Sequence, residues 1–407
     1  MTDTGMLFSM SEGDPPISGN VIKYKDTGIV PFQGIRALVA EKMIDGLPRI
    51  EDDQFQPASL DLRLGSRAYR VRASFLPGEE STVMEKIRQL DGFPAIDLPR
   101  IGHGEEGGVV FEKGAVYLVE LAESARLRGD YVGFANPKSS TGRLDILTRL
   151  VTDRATAFNR IPAGYRGPLY LEVIPLTFSI VVRQGTRLTQ LRLQRGSTAV
   201  SSSEFQRLYE RGELINVQAG KKLPPPRGQL VPLTVNLLGK PGEIIGFRAK
   251  KNSSKIDLDK IGHYEPRYFW EPIESSNGEL DLNKDDFYIL ATSEDVGVPP
   301  QLAAEMVAFD PEAGEFRVHY AGFFDPGFGW QATSATGGVA RGSKAVLEVR
   351  SYGVSFTLEH GQTVAWLDYK QLATGQTDRR YGGDAIKSNY QGQGVALAKH
   401  FKPWTML

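Results

Sequence analysis

Apolar and polar positions alternate in short runs along most of the chain. In Leu60-Asp61-Leu62-Arg63-Leu64 a period of two places the three leucines on one face of an extended strand and the polar side chains on the other. Runs of this kind are punctuated by Gly and Pro, the pattern of half-buried antiparallel strands joined by turns. A helical period is confined to a few places. Ile35, Leu38, Val39 and Met43 share one face over Gly34 to Met43, and a second helix is expected over Ser203 to Arg211. The pattern therefore predicts a mainly β protein with a few peripheral helices.

The alternating segments also recur. LEVIPLTFSIVVRQGTRLTQLRL (Leu171 to Leu193) aligns without gaps on LEVRSYGVSFTLEHGQTVAWLDY (Leu347 to Tyr369), at an offset of 176 residues. QPASLDLRLG (Gln56 to Gly65) matches VPLTVNLLG (Val231 to Gly239), VGFANP before Lys138 matches VAFDP before Glu312, and IPAGYRG (Ile161 to Gly167) answers FDPGFG (Phe324 to Gly329). Matches in one order along the chain indicate duplication. Between the copies, AGKKLPPPRG (Ala219 to Gly228) has the composition of an extended linker. The expected division is a first repeat over 1–218, a linker over 219–228 and a second repeat over 229–407.

Composition narrows the chemistry. Forty-eight Lys and Arg balance forty-nine Asp and Glu for a net charge of -1, so no overall field favours a nucleic acid polymer or an anionic membrane, and any phosphate site must be local. MTDTGMLFSM lacks a basic, apolar leader pattern, and no run approaches the roughly 18 apolar residues of a membrane span; a cytoplasmic location is expected. Cysteine is absent, which removes disulfides, thiolate nucleophiles and Cys-containing zinc sites. The five histidines are scattered singly and form neither HExxH nor the H-x-E of a zinc deaminase. No metal ligand set is expected.

The most informative segment is Asn136-Pro137-Lys138-Ser139-Ser140-Thr141-Gly142-Arg143, with two cations, three hydroxyls and a glycine between apolar strands. Such a turn can hold phosphate through charge-assisted hydrogen bonds and close backbone approach, although a solvated loop has the same composition. In the order QPASLDLRLG, KSSTGRL, IPAGYRGPLYLEV, the chain resembles the dCTP deaminases and their dUTP diphosphatase relatives. KSSTGRL resembles the deaminase motif R-S-S-x-x-R-L, with Lys138 for its first arginine and Ser139, Ser140 and Arg143 matching. Tyr381 and Lys387-Ser388-Asn389-Tyr390-Gln391-Gly392-Gln393 resemble the family's closing K-Y-Q-G-Q tail, with Asn389 where its lysine stands. The resemblance implies two tandem dUTPase-like β-barrel repeats, sites shared between neighbouring barrels, zinc-independent hydrolysis of dCTP to dUTP and ammonia for thymidylate synthesis, and Mg²⁺ carried by the triphosphate. It further implies dTTP as a possible effector and a homo-oligomer with three-fold barrel packing.

Hydrolytic deamination needs a base to activate water and an acid for N3 and the leaving amine, and one carboxylate can do both. In the family this is the glutamate of V-L-E. The chain offers two candidates, Glu172 and Glu348, and the copies differ around them. Repeat one has Lys138, Ser139, Ser140 and Arg143 and keeps Arg160 at a family arginine position, but has Pro162 where the family has a sugar-contacting aspartate. Repeat two has that aspartate, Asp325, together with Ala321 at the base-orienting position and Val346-Leu347-Glu348, but AFDPE replaces its phosphate motif. The favoured expectation is a composite site, with phosphate groups from repeat one and with Glu348, Asp325, Tyr381, Lys387, Tyr390 and Gln393 from repeat two; Glu172 remains open. Ser139 would position water or amine and Arg143 would stabilise developing charge. The alternatives are a dUTP diphosphatase or bifunctional enzyme using Asp325, and a nucleotide-binding regulator without turnover.

Overall fold

The computed structural model describes residues 26–90, 94–100, 107–217, 222–274, 277–307, 316–318, 322–330, 342–351, 353–382 and 394–405. Among them the chain is mostly β, with short helices at the edges. The first repeat wraps one antiparallel sheet into a nearly closed barrel, its strands in the order Ile146–Thr152, Arg166–Pro175, Val116–Arg126, Leu60–Val71, Arg187–Arg195, Tyr131–Pro137 and Arg160–Ile161. The second repeat uses two sheets. One runs Trp270–Glu274, Ile244–Ala249, Phe287–Val296, Ser343–Ser351, Phe316–Val318; the other runs Leu230–Thr234, Thr363–Gln371, Leu302–Val307, Phe323–Phe324.

The alternating pattern locates the strands but understates their burial. Leu60, Leu62 and Leu64 are fully buried, and so, nearly, are Asp61 and Arg63 on the opposite face. Each polar side chain there has a charged partner: Lys138 pairs with Asp61, and Arg63 Nε donates to Glu123 at 2.8 Å. Burial of charge is tolerated because it is paired. Of the expected helices, one spans Phe32–Ala40 and ends before Met43, which is buried all the same; the other spans Ser202–Glu210 behind a Ser201 cap that accepts from Glu204 N at 3.3 Å. A third helix, Val83–Gln89, has no long apolar period. Its sequence signal is the capping box Thr82-x-x-Glu85, whose reciprocal bonds are both present.

The two repeats interlock. Strand Ile180–Val182 of the first pairs in parallel with Ile256–Asp257 of the second, and Arg183 forks onto Asp257 at 2.7 and 2.9 Å. The first hydrophobic core takes in Phe247, Trp270, Phe287, Val346 and Phe401 from the second repeat, so one core runs across the boundary. The second core includes Phe205, Leu208 and Ile215, from the helix and strand that precede the Pro-rich segment. No described helix is long and apolar enough to cross a membrane.

Candidate active site

Strand Tyr131–Pro137 delivers the phosphate-like motif to one end of the first barrel. Lys138 precedes a single helical turn, Ser139–Gly142, and the chain then passes through Arg143-Leu144-Asp145 into strand Ile146–Thr152. Thr141 Oγ1 donates to Leu188 O at 2.8 Å and pins the turn to the neighbouring strand. Ser139 is exposed; Ser140 and Arg143 are buried. The Lys138 ammonium rests on the Asp61 carboxylate. Lys138, Ser140, Arg187, Lys399 and Asp61 border a cavity of about 320 Å³.

The second repeat faces this turn with two buried carboxyls. Glu348 lies in strand Ser343–Ser351, paired in register with Ile289 and flanked by the buried Val346 and Leu347. It is 6% exposed. Burial pushes its carboxyl up to about 8; the Arg143 guanidinium from repeat one partly offsets this, and the Asp145 carboxylate adds to it. Arg143 also donates to Ala396 O at 3.1 Å, so the segment following the YQGQ run is tied to the same guanidinium.

Asp325 sits on the FDPG turn and is pushed up to about 6 by burial, with Arg192 opposing the shift. Arg192 crosses from strand Arg187–Arg195 of repeat one. It approaches Asp325 Oδ1 at 3.3 Å, donates to Ala304 O at 3.0 Å and Phe324 O at 3.3 Å, and lies 4.0 Å over the Phe323 ring. Sequence reasoning missed Arg192, because an arginine between Leu191 and Leu193 reads as the solvent side of a strand. Lys138 and Asp61 also act electrostatically on Asp325. Tyr381 packs against the same turn, its N–H donating to Pro326 O at 2.9 Å and its ring 5.5 Å from Phe328. Gly327 permits this approach: its φ is +97°, and a β-carbon there would lie 3.0 Å from the Tyr381 backbone.

Glu172 has different surroundings. It is buried to the same degree, but Arg149 from the adjacent strand binds it at 2.5 and 2.7 Å. Arg149 in turn donates to Ser74 at 2.7 Å and stacks 4.0 Å over Phe158. Arg160 is exposed over the Phe134 ring, 5.9 Å from its centroid, outside the Arg143–Glu348 cluster. Ala321, Lys387, Tyr390 and Gln393 lie outside the described residues.

One cluster, therefore, joins Lys138, Ser140 and Arg143 of the first repeat to Asp325 and Glu348 of the second. A buried carboxyl able to hold or release a proton near neutrality, beside a fixed guanidinium, suits proton shuttling at a reacting carbon. Among the described residues no group of three or more His, Cys, Asp or Glu side chains could hold a metal ion.

Known proteins resemble this chain over most of its length. The family model for the 2'-deoxycytidine 5'-triphosphate deaminase N-terminal domain matches residues 26–197, and that for the C-terminal domain matches 201–401. A dCTP deaminase of Halorubrum lacusprofundi is 30% identical over 141 residues, which is 34% of this chain and 63% of that relative's length. The crystal structure of 2'-deoxycytidine 5'-triphosphate deaminase from Agrobacterium tumefaciens is 47% identical, with a TM-score of 0.75, and the match covers 86% of this chain and 100% of that one.

Proposed function

The chain belongs to the 2'-deoxycytidine 5'-triphosphate deaminase family, and we propose that it is an enzyme that deaminates dCTP to dUTP at a site built from both of its repeats, with Glu348 as the general base. The difference between the two glutamates carries this reading. Glu172 is bound by Arg149, whereas Glu348 is buried opposite Arg143 and raised to about 8.

Glu348 takes a proton from water as the oxygen attacks C4 and passes it to N3, then takes the second proton from the new C4 hydroxyl and supplies it to the departing amine, so that a single carboxyl serves each step. Arg143 stabilises the charge that builds during attack. Ser139, exposed at the turn, positions water or amine. Lys138 and Ser140 bind the triphosphate, Asp325 meets the sugar, and the tail that begins at Tyr381 closes over the nucleotide. Mg²⁺ enters on the triphosphate as part of the substrate. The reading extends to dTTP as an effector, to a homo-oligomer with three-fold barrel packing and to a cytoplasmic enzyme; the family resemblance supports these.

Incubating the protein with dCTP and Mg²⁺ and measuring ammonia, pyrophosphate and nucleotides tests the activity. Ammonia with dUTP is expected. Pyrophosphate with dUMP would indicate a diphosphatase, and binding without either product a regulator. Glu348→Gln should lower ammonia release by roughly 10²- to 10⁴-fold, with Glu172→Gln affecting it far less. Full turnover by Glu348→Gln would overturn the assignment.

A further inference from the structure

Two charge pairs cross the junction between the repeats at the same spacing. Arg143 and Asp145 stand two residues apart on one turn of repeat one. Glu348 and Arg350 stand two residues apart on one strand of repeat two, and so share a face of the sheet. Arg143 acts on Glu348, and Arg350 binds Asp145 through Nη2. Thr177 completes the second pair: its hydroxyl donates to Asp145 Oδ2 at 2.5 Å and accepts from Arg350 Nη2 at 2.8 Å. The other arm of Arg350 donates to the Asp285 carbonyl. Asp145 is fully buried at a φ of +56°, and Arg350 is 7% exposed.

We propose that the Asp145–Arg350 ion pair is the positioning device of the active site, setting the register in which repeat two presents Glu348 to Arg143. This rests on Glu348 being the base. The duplicated sequence supplies a reason for the pair. The residue of repeat one that aligns with Arg350 is Ile174, also buried. A repeat-one turn docked on a repeat-one strand would bury the Asp145 carboxylate against isoleucine, and an unpaired buried charge is strongly disfavoured. Only the unlike pairing gives Asp145 a guanidinium at that position. The pair thereby selects the junction that carries Arg143 and Glu348 together, and its guanidinium, carried on the Glu348 strand, is held in a hydrogen-bonded frame of Thr177 and Asp285.

The groups that act on Glu348 are Arg143 and Asp145 from the turn, with Arg350 reaching it through its hold on Asp145; Ile289, its partner on the adjacent strand, carries no charge. Removing either member of the pair therefore moves the Glu348 titration in opposite directions. Asp145→Asn, which tolerates the left-handed backbone, removes a negative charge and leaves a positive one, so the acid limb of kcat against pH should shift down. Arg350→Met removes the positive charge that binds Asp145, so the limb should shift up. Because Asp145 acts on Glu348 directly, these shifts report the charges, and the positioning role is read from kcat against KM. Each single variant strands a charge and can fail to fold, so the double variant Asp145→Asn with Arg350→Met is the decisive one, because replacing both members of a buried pair is often neutral for stability. It should fold, bind dCTP with unchanged KM, and lose roughly 10- to 100-fold in kcat through misplacement of Glu348. A double variant with the parent's kcat, one that does not fold, or single variants whose limbs stay fixed or move together would overturn the proposal. Retained turnover in Glu348→Gln sinks the underlying assignment as well; an inactive Glu348→Gln with unmoved limbs sinks the positioning pair alone.

Discussion

Glu348 and Glu172 occupy corresponding places in the two repeats, are equally buried, and differ in what lies opposite them. Arg149 reaches one Glu172 oxygen with two nitrogens, a charge-assisted contact that holds the carboxylate within repeat one. Glu348 meets its arginine across the junction, and burial outweighs that arginine's attraction, which leaves the carboxyl near 8. The free enzyme should therefore show kcat/KM for dCTP rising with pH toward an apparent value near 8, since a general base works only when deprotonated. The same shift sets a stability window. Between the ordinary value of 4.5 and about 8 the folded protein holds a proton that the unfolded chain has released, so Glu348 lowers stability progressively as pH rises through that interval. Glu348→Gln cannot titrate and should be more stable than the parent by roughly 2–4 kcal/mol at pH 8, measured by urea unfolding across pH 5 to 9. A variant no more stable at pH 8 than at pH 5, relative to the parent, would contradict the buried, protonated carboxyl.

At the scale of elements, strand Arg187–Arg195 illustrates what the sequence conveys and what it conceals. Its alternation and the surrounding turns are plain in the sequence, as are the duplicated LEV strands and the KSSTGR turn. The destination of Arg192 is not, because alternation shows that a side chain is on the polar face but not that a second repeat covers that face. Asp61 and Arg63 read as solvent-facing for a related reason, since their partners Lys138 and Glu123 come from segments of the same repeat that are distant in sequence. Arg350 did leave a trace, standing where the other repeat has a buried isoleucine, but without its partner the difference has no direction. Arg192 holds the FDPG turn through Ala304 O, Phe324 O and Asp325. Arg192→Met keeps the volume but removes the only cation directly paired with Asp325 among the described residues. It should destabilise the fold by about 3–5 kcal/mol, the usual consequence of stranding one member of a buried pair, read from the urea midpoint at pH 7.5, where Asp325 is largely ionised. At pH 5, below its raised value of about 6, Asp325 is mostly protonated and the penalty should shrink.

For the whole molecule, duplication has separated functions that a single repeat of this family would hold together. Repeat one has the cations and hydroxyls at the Ser139–Gly142 turn, while its own glutamate is locked by Arg149; repeat two has Asp325 and Glu348, while Glu312 aligns near the place of the phosphate motif. The crossing contacts, Arg143 with Ala396 O, Arg192 with Asp325 and Arg350 with Asp145, all join repeat one to repeat two. A junction of the reverse kind would set Glu172, already bound by Arg149, against a sequence segment whose acidic residues would repel triphosphate. On the proposed composite site, barrels outnumber competent sites two to one. Calorimetric titration of the Glu348→Gln protein with dCTP and Mg²⁺ should give one nucleotide per chain, and the same stoichiometry should hold whatever the size of the homo-oligomer, since each chain contributes one phosphate turn and one Glu348 strand. Two nucleotides per chain would mean that the Glu172 junction also binds substrate, and the division of labour between the repeats would have to be abandoned.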